Sequence, residues 1–582
     1  MPQIWHLPKV DPVCKIGMGC LSTIRFSFLL HENYYGKIQT LTEPVWRTIV
    51  QREPLSAQVH SSAMAILKSV NDVASRYEAL ALFAFALFLY SSFASCSLNE
   101  GDSFNFARAL LKFDLVREQP HAPGYPIYVL LGRVLFLLTG DQLAALRWMS
   151  VVSGALTLVP LYFLARSLHG REIAIPTCLV LMVLPGFWLA SEKATTDALS
   201  TSLLTLSIAL LYMGMRGHSR AIPISCAAYA LAVGVRPTNI VFLVLWIFVA
   251  LRTRRPAIMA FSVLAFVATV SAWLMPVIWV ERWDRFLFAT RHVYVGTANT
   301  DFISARPLGL EPYERMLFAV ASIFTFGLGG MLPPVPGLRF PFSSTSIPAY
   351  YLLHDIVWLG ALLCLSLNFK WTTEKTFMFL WVVPHFVFVY LFGSPIHHRY
   401  YLAIFPPLVL LIVSSVANVA KVCRRWLRLS TRTERIMRGV AYLFLILTLV
   451  AHTMPLAEKL HREPAPITQL VRYVRASYCP DSTTILVFHE YSAFRMYAPE
   501  FRYYHCRKQI TENLELLERQ HTSEGVLLIT GTAYEFLARH PLVLQLEVTK
   551  VVEFYLDPRA EIEDHRIALY KVHGARVSRS SA

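Results

Sequence analysis

From Ala79 to about Leu456 the chain repeats apolar runs, most of them roughly 18–25 residues long, the length that crosses a ~30 Å hydrocarbon core. They lie near 79–98, 143–166, 173–191, 196–214, 221–235, 238–252, 256–280, 349–368, 376–394, 401–420 and 438–456. Lipid offers a peptide group no hydrogen-bond partner, so such runs must satisfy their own backbone as helices. Two further stretches fit a span poorly. Residues 123–139 open with two prolines and carry Arg133 near the middle. A mid-bilayer Arg costs at least about 2.5–3.5 kcal/mol, so an interfacial helix is cheaper there. Residues 315–336 contain GLGG and PPVP, which break a simple span. The expected fold is an α-helical polytopic membrane protein of about 11–13 spans.

Composition excludes the other classes. Only 16% of residues are charged and 55% are hydrophobic, whereas soluble domains are about one-quarter charged, and so apolar a chain does not stay disordered. The net charge of +16 sits mainly in short loops between apolar runs, not on one basic face. No nucleic-acid partner is expected. Placing LHGRE, MRGHSR, LRTRR, FKWTTEK and the Arg424–Arg438 run in the cytoplasm satisfies the positive-inside rule. The 99–142 loop, the SEKATTD and VRPTN turns, the 281–314 loop and PIHHRYY then share the outer face.

Residues 1–75 read as a cytoplasmic tail or a misassigned start, 76–456 as the membrane domain, and 457–582 as a small extracytoplasmic α/β domain. In the last, 483–490, 526–530, 544–556 and 566–572 have strand composition, and 467–478 and 512–520 helical pattern. Cys479 and Cys506 either pair there or remain free thiols.

Polar residues at odds with a membrane protein gather on the outer face. Glu100 and Asp102 follow the first run directly; a carboxylate there suits a general base for an acceptor hydroxyl, or a divalent-ion ligand. The plain alternative is that both acids favour the N-terminus of the helix FNFARALLKF. Lys193, Arg236 and Arg399, with His397 and His398, stand at the boundary where a lipid-linked phosphate would lie. Singly, each cation is a snorkelling anchor. The aromatics Tyr400, Tyr401, Trp273 and Trp279 read as interface belt, and His385 as a packed histidine. There is no GxxxxGK[ST], GxGxxG or HExxH.

GDSFNFARAL, HAPGYPIYVLLGR, the TTDA turn and RYYLAIFPP, in that order over residues 79–420, resemble the GT-C glycosyltransferases. These are multispan enzymes using polyprenyl-phosphate sugars; the nearest branch is that of the protein O-mannosyltransferases and the lipid A aminoarabinose transferases. The resemblance implies Asp102 as catalytic base, assisted by Glu100. It implies Lys193, Arg236 and Arg399 as donor-phosphate ligands, His121, Tyr125, His397 and His398 as substrate contacts, and Asp197 as a structural acid. Ser103 stands where many relatives have a second acid, so a divalent cation on Glu100 and Asp102 stays open. Ala122 replaces a proline. The implied partners are a polyprenyl-phosphate sugar, a lipid, glycan or protein acceptor, and membrane lipids. The implied setting is a bacterial inner membrane with a periplasmic active site and an inverting transfer. A secondary transporter, or a non-catalytic protein on the same frame, is the alternative.

Overall fold

The computed structural model describes residues 57–253, 255–306, 311–329, 372–394, 398–506, 525–538, 546–557, 559–560 and 565–575. The chain divides between Glu78 and Ala79 into two units. Helix α1 (Ala57–Ser92) ends six residues before the apolar run does. Ser91 and Ser92 turn their hydroxyls back onto the Phe88 carbonyl, and Ser95 bonds loop groups in place of a helical turn.

After α2 (Gly101–Leu111), the doubtful stretch 123–139 becomes α3 (Pro126–Thr139). Its 14 residues make about 21 Å of helix, too short to span. Arg133 donates to the carbonyls of Leu110 and Ala109, at 3.1 and 3.0 Å, where α2 ends and its dipole is negative. The Asp141 carboxylate caps α4 (Gln142–His169), accepting from the Ala144 amide at 2.7 Å. The run 173–191 splits into α5 (Arg171–Val183) and α6 (Pro185–Glu192), bent by 60°. Pro185 lacks an amide proton and forces Leu184 into extended backbone.

Next come α7 (Asp197–Met215), α8 (Ala221–Val235), a 3-10 turn (Pro237–Phe242) and α9 (Leu243–Thr253). Helix α10 (Pro256–Glu281) exposes most of its apolar surface, as lipid contact requires. The expected 281–314 loop holds α11 (Trp283–Thr300), and α12 (Pro312–Ser322) opens on a capping box of Glu311 and Glu314. The remaining membrane helices are α13 (Thr373–Phe392), α14 (Phe405–Trp426) and α15 (Thr431–Arg462).

Among the described residues seven helices are long and apolar enough to cross a membrane, or eight counting the bent pair. That is fewer than the eleven runs, because α8 and α9 are short and 349–368 lies outside the described residues. The helices pack closely where glycine allows it. A Cβ on Gly186 would stand 2.6 Å from Phe405 Cε2 and 2.9 Å from Gly327 Cα. Gly186→Ala should cost about 1–3 kcal/mol by overpacking. A thermal midpoint in detergent equal to that of the parent protein would contradict this packing.

Beyond α16 (Pro466–Ser477) stands a five-stranded sheet of β1 (Thr483–Val487), β2 (Arg502–His505), β3 (Val526–Thr530), β4 (Leu546–Tyr555) and β5 (Arg566–Ala575). Its order is β2-β1-β3-β5-β4, with β1 parallel to β2 and β3, and β5 antiparallel to β3 and β4. Helices α17 (Tyr491–Tyr497) and α18 (Gly531–Leu537) follow β1 and β3. The helix expected at 512–520 lies outside the described residues. Cys479 is exposed, Cys506 buried, and both are free thiols, so the pairing alternative falls. The sheet does not stand apart. Ile485, Phe494 and Leu528 share one apolar cluster with Leu98, Phe104, Phe106 and Leu110, so α2 is a wall common to the sheet and the membrane helices.

Candidate active site

The site grows from the start of α2. Glu100 is its N-cap residue, with extended backbone, yet its side chain makes no cap bond. It pairs instead with Arg399 Nη1, while Arg399 Nη2 reaches Asp102 Oδ2 at 3.3 Å. Helix capping therefore does not account for Glu100. Arg399 belongs to a 3-10 turn, His398–Ile404, leading into α14. Its Nη1 also lies 4.0 Å from Asp197 Oδ2, and Arg236 Nη1 pairs with Asp197 Oδ1. Four segments far apart in sequence thus meet in one cluster of carboxylates and guanidiniums. Glu100 and Asp197 are buried, whereas the Asp102 side chain is 37% exposed. Asp102 is the carboxylate of this cluster that a substrate can reach.

The HAPGYP segment supplies the next layer. Gly124 has φ +109°, and a Cβ there would meet Phe113 Cζ at 2.9 Å, so only glycine fits without strain. Tyr125 follows in the left-handed region at φ +47°. Its hydroxyl lies 2.8 Å from His121 Nε2, and His121 Nδ1 lies 3.5 Å from Asp102 Oδ1. Burial, and then the Asp102 charge, push the Tyr125 phenol well above its ordinary pKa. The hydrogen bond to the Tyr125 hydroxyl fixes the imidazole ring with its Nδ1 facing Asp102. Tyr125→Phe removes this orientation, and since one hydrogen bond contributes about 0.5–1.5 kcal/mol, turnover should fall by about 2- to 10-fold. Steady-state rates of the two proteins check it.

The other candidates are placed as follows. Lys193 is buried and donates to the Ala560 carbonyl at 2.7 Å, so its ammonium is turned to the β4–β5 connection. His398 stacks on Phe326 with centroids 5.3 Å apart. His397 lies outside the described residues. His385 is buried, stacked on Phe242 and bonded to the Tyr400 carbonyl at 2.8 Å. Among the described residues no group of three or more His, Cys, Asp or Glu side chains is arranged to hold a metal ion.

One residue of the site escaped the sequence reading. Tyr400, expected in the interface belt, holds its ring 4.8 Å from the Arg236 guanidinium carbon and 5.5 Å from that of Arg399. It is a cation–π partner for both. Its signal was its place beside Arg399, but a tyrosine at a membrane boundary reads first as an anchor.

Residues 120–279 match the family model described as dolichyl-phosphate-mannose-protein mannosyltransferase. That stretch is similar to a mannosyltransferase family, and the remainder of the chain lies outside the match. The mannosyltransferase-family stretch includes His121, Tyr125, Lys193, Asp197 and Arg236, while Glu100, Asp102 and Arg399 lie outside it. No curated protein matches the chain in sequence. Among solved structures, ArnT from Cupriavidus metallidurans bound to undecaprenyl phosphate is similar over 85% of this chain and 97% of its own, at 14% identity and TM-score 0.44. The Archaeoglobus fulgidus oligosaccharyltransferase in the apo form is similar over 81% and 69%, at 13% identity and TM-score 0.46. The arabinofuranosyltransferase AftD from Mycobacteria is similar over 86% and 40%, at 13% identity and TM-score 0.43. The apolar helices describe a multi-pass membrane protein, and residues 120–279 are similar to mannosyltransferases.

Proposed function

We propose that the protein moves a sugar from a polyprenyl-phosphate donor to an acceptor hydroxyl, at the outer face of a bacterial inner membrane and with inversion. The observation that carries this reading is the cluster itself: an accessible Asp102 held beside Arg399, Arg236 and Tyr400 where the membrane helices end. The acceptor oxygen attacks the anomeric carbon as the bond from that carbon to the phosphate oxygen breaks. Asp102 takes the acceptor proton, and the phosphate leaves as its anion. Arg399 and Arg236 meet the charge that develops on the leaving group. Lys193 joins them when its ammonium leaves the Ala560 carbonyl. Glu100 and Asp197 hold the two guanidiniums in place, and His121 with Tyr125 orients Asp102. A single displacement of this kind inverts the anomeric centre. Mannose is the first donor sugar to try, because the matching family is described by dolichyl-phosphate mannose.

The test is release of radiolabelled sugar from a polyprenyl-phosphate donor by the purified protein, with and without lipid, glycan and peptide acceptors. Acceptor-dependent release upholds the reading. Donor movement across a vesicle without release makes the protein a transporter, and neither activity makes it a non-catalytic member of the same frame.

A further inference from the structure

Arginines elsewhere in this chain meet carboxylates or helix-end carbonyls, as Arg285 meets Asp114 at 3.0 Å, Arg475 meets Glu500 at 2.8 Å and Arg133 meets Leu110 at 3.1 Å. Arg108 on α2 and Arg495 on α17, both half-buried, are drawn together over Gln119 instead. With the Gln119 amide oriented so that its oxygen faces the donors, it accepts from Arg495 Nη2 at 3.2 Å and from Arg108 Nη2. Arg495 Nη1 donates to the Arg117 carbonyl at 3.1 Å. Among the described residues no carboxylate pairs with either guanidinium. Two positive charges thus share one neutral amide. Burial, and then the Arg495 charge, lower Arg108 to about 10, and Glu118 pulls the other way more weakly than Arg495 pushes.

The fold prevents the two charges from drifting apart. Three residues earlier on each helix, Ser492 donates to Asn105 Oδ1 at 2.9 Å, and Tyr497 packs edge-on against Phe104 at 5.6 Å. Gln119 is held as firmly, its backbone amide and carbonyl exchanging bonds with those of Asp114 at 2.9 and 2.7 Å. A guanidinium has five N–H donors. Among the described residues the side chain of Arg108 spends one of them and that of Arg495 two, which leaves donors on both for a ligand.

We infer that Arg108 and Arg495 form a phosphate-binding site apart from the donor's, and that the phosphate it takes is carried by a glycan acceptor. A phosphate ester holds a charge of about −1.5 to −2 at pH 7, which matches two guanidiniums, whereas a carboxylate matches one. Position separates this site from the donor's. Arg399 and Arg236 gather at Asp102 and Asp197, while Arg108 lies on the face of α2 that turns Phe104 and Asn105 toward α17. Arg108 is six residues beyond Asp102, about 9 Å along the helix and a third of a turn around it. That spacing exceeds one sugar ring, so the phosphate belongs on a ring beyond the one whose hydroxyl reaches Asp102. Tyr503, which feels the charge of both guanidiniums, and Tyr491, with centroids 5.6 Å apart, add aromatic faces of the kind that sugar rings pack against. Gln119 stands two residues before His121, whose Nδ1 is 3.5 Å from Asp102 Oδ1, so a bound phosphate also steadies the segment that orients the base. The acceptor assignment rests on the glycosyltransferase reading; the phosphate site does not.

The experiment measures transfer from polyprenyl-phosphate mannose to methyl mannobioside, with and without a phosphate on one ring, by the full-length protein in detergent. The phosphorylated acceptor should show a KM lower by about 10- to 100-fold, the weight of a hydrogen bond between charged groups. Arg108→Gln and Arg495→Gln should each remove most of that difference, and Arg108→Lys, which keeps the charge, should retain part of it. Neither Gln variant should melt below the parent, because each removes a repulsion. A merely structural pair would lower the thermal midpoint and leave the two acceptors ranked as in the parent. Equal KM values for the two acceptors overturn the inference and leave the glycosyltransferase reading standing. So does inorganic phosphate that speeds transfer to the unphosphorylated mannobioside, for the ligand is then free phosphate. If the parent releases sugar from no donor, the glycosyltransferase reading falls, and titration calorimetry with the phosphorylated mannobioside still tests the site. Heat of binding that is lost in Arg108→Gln upholds the phosphate site, and no heat with the parent overturns it.

Discussion

Asp102→Asn should lower sugar transfer by at least about 10²–10⁴-fold, the range that a positioned general base contributes. Asparagine keeps the shape and still accepts a hydrogen bond from Arg399 Nη2, which stands 3.3 Å from Asp102 Oδ2. What it cannot do is take the acceptor's proton. Glu100 does not replace it, because its buried carboxylate is committed to Arg399 Nη1. The protein should therefore insert, purify and melt as the parent does while losing turnover. Transfer at near-parent rates by Asp102→Asn would remove Asp102 from the mechanism. A coincident fall in thermal midpoint would show that the residue supports the fold.

Asp197 is expected to behave the other way. It is 1% exposed, and Arg236 beside it has lost most of its water, so the two charges depend on each other. Removing one member of a buried pair leaves the other uncompensated, at a cost of about 3–5 kcal/mol. Asp197→Ala should thus show a clearly lowered thermal midpoint in detergent, whatever the assay of transfer reports. Replacing both residues together, Asp197→Leu with Arg236→Met, should regain much of that loss, since an apolar pair of similar volume carries no desolvation penalty. Equal midpoints for the parent and Asp197→Ala would mean that water reaches this pair. The contrast separates the two acids: one measured by rate, the other by stability.

The membrane helices were readable because bilayer thickness sets a run length, and that length shows directly in the sequence. At Leu184–Pro185 proline bends by 60° a run that reads as one straight span. Strands β1, β3, β4 and β5 announced themselves by β-branched residues. β2, RYYH, is four residues long with a charged first position, too little pattern to register. For the site, the order of GDS, PGYP, TTD and RYY pointed to residues that the fold does bring together, namely Glu100, Asp102, Asp197 and Arg399. Lys193 was harder. Its partner is a main-chain carbonyl at Ala560, and a carbonyl leaves no trace in residue type.

The apolar wall of α2 bears on how the protein is made. Phe104, Phe106 and Leu110 enter the chain early, but part of their cover, Ile485, Phe494, Leu528 and Ile567, is synthesised near its end. Leu556 and Ala560 likewise complete the core formed by the membrane helices. During translation the inserted helices must wait with an unfinished face while several hundred more residues are added. Assembly is closed by the last strands, so a ribosome that stalls late leaves a sticky, incomplete protein in the membrane, and quality control has a face to recognise.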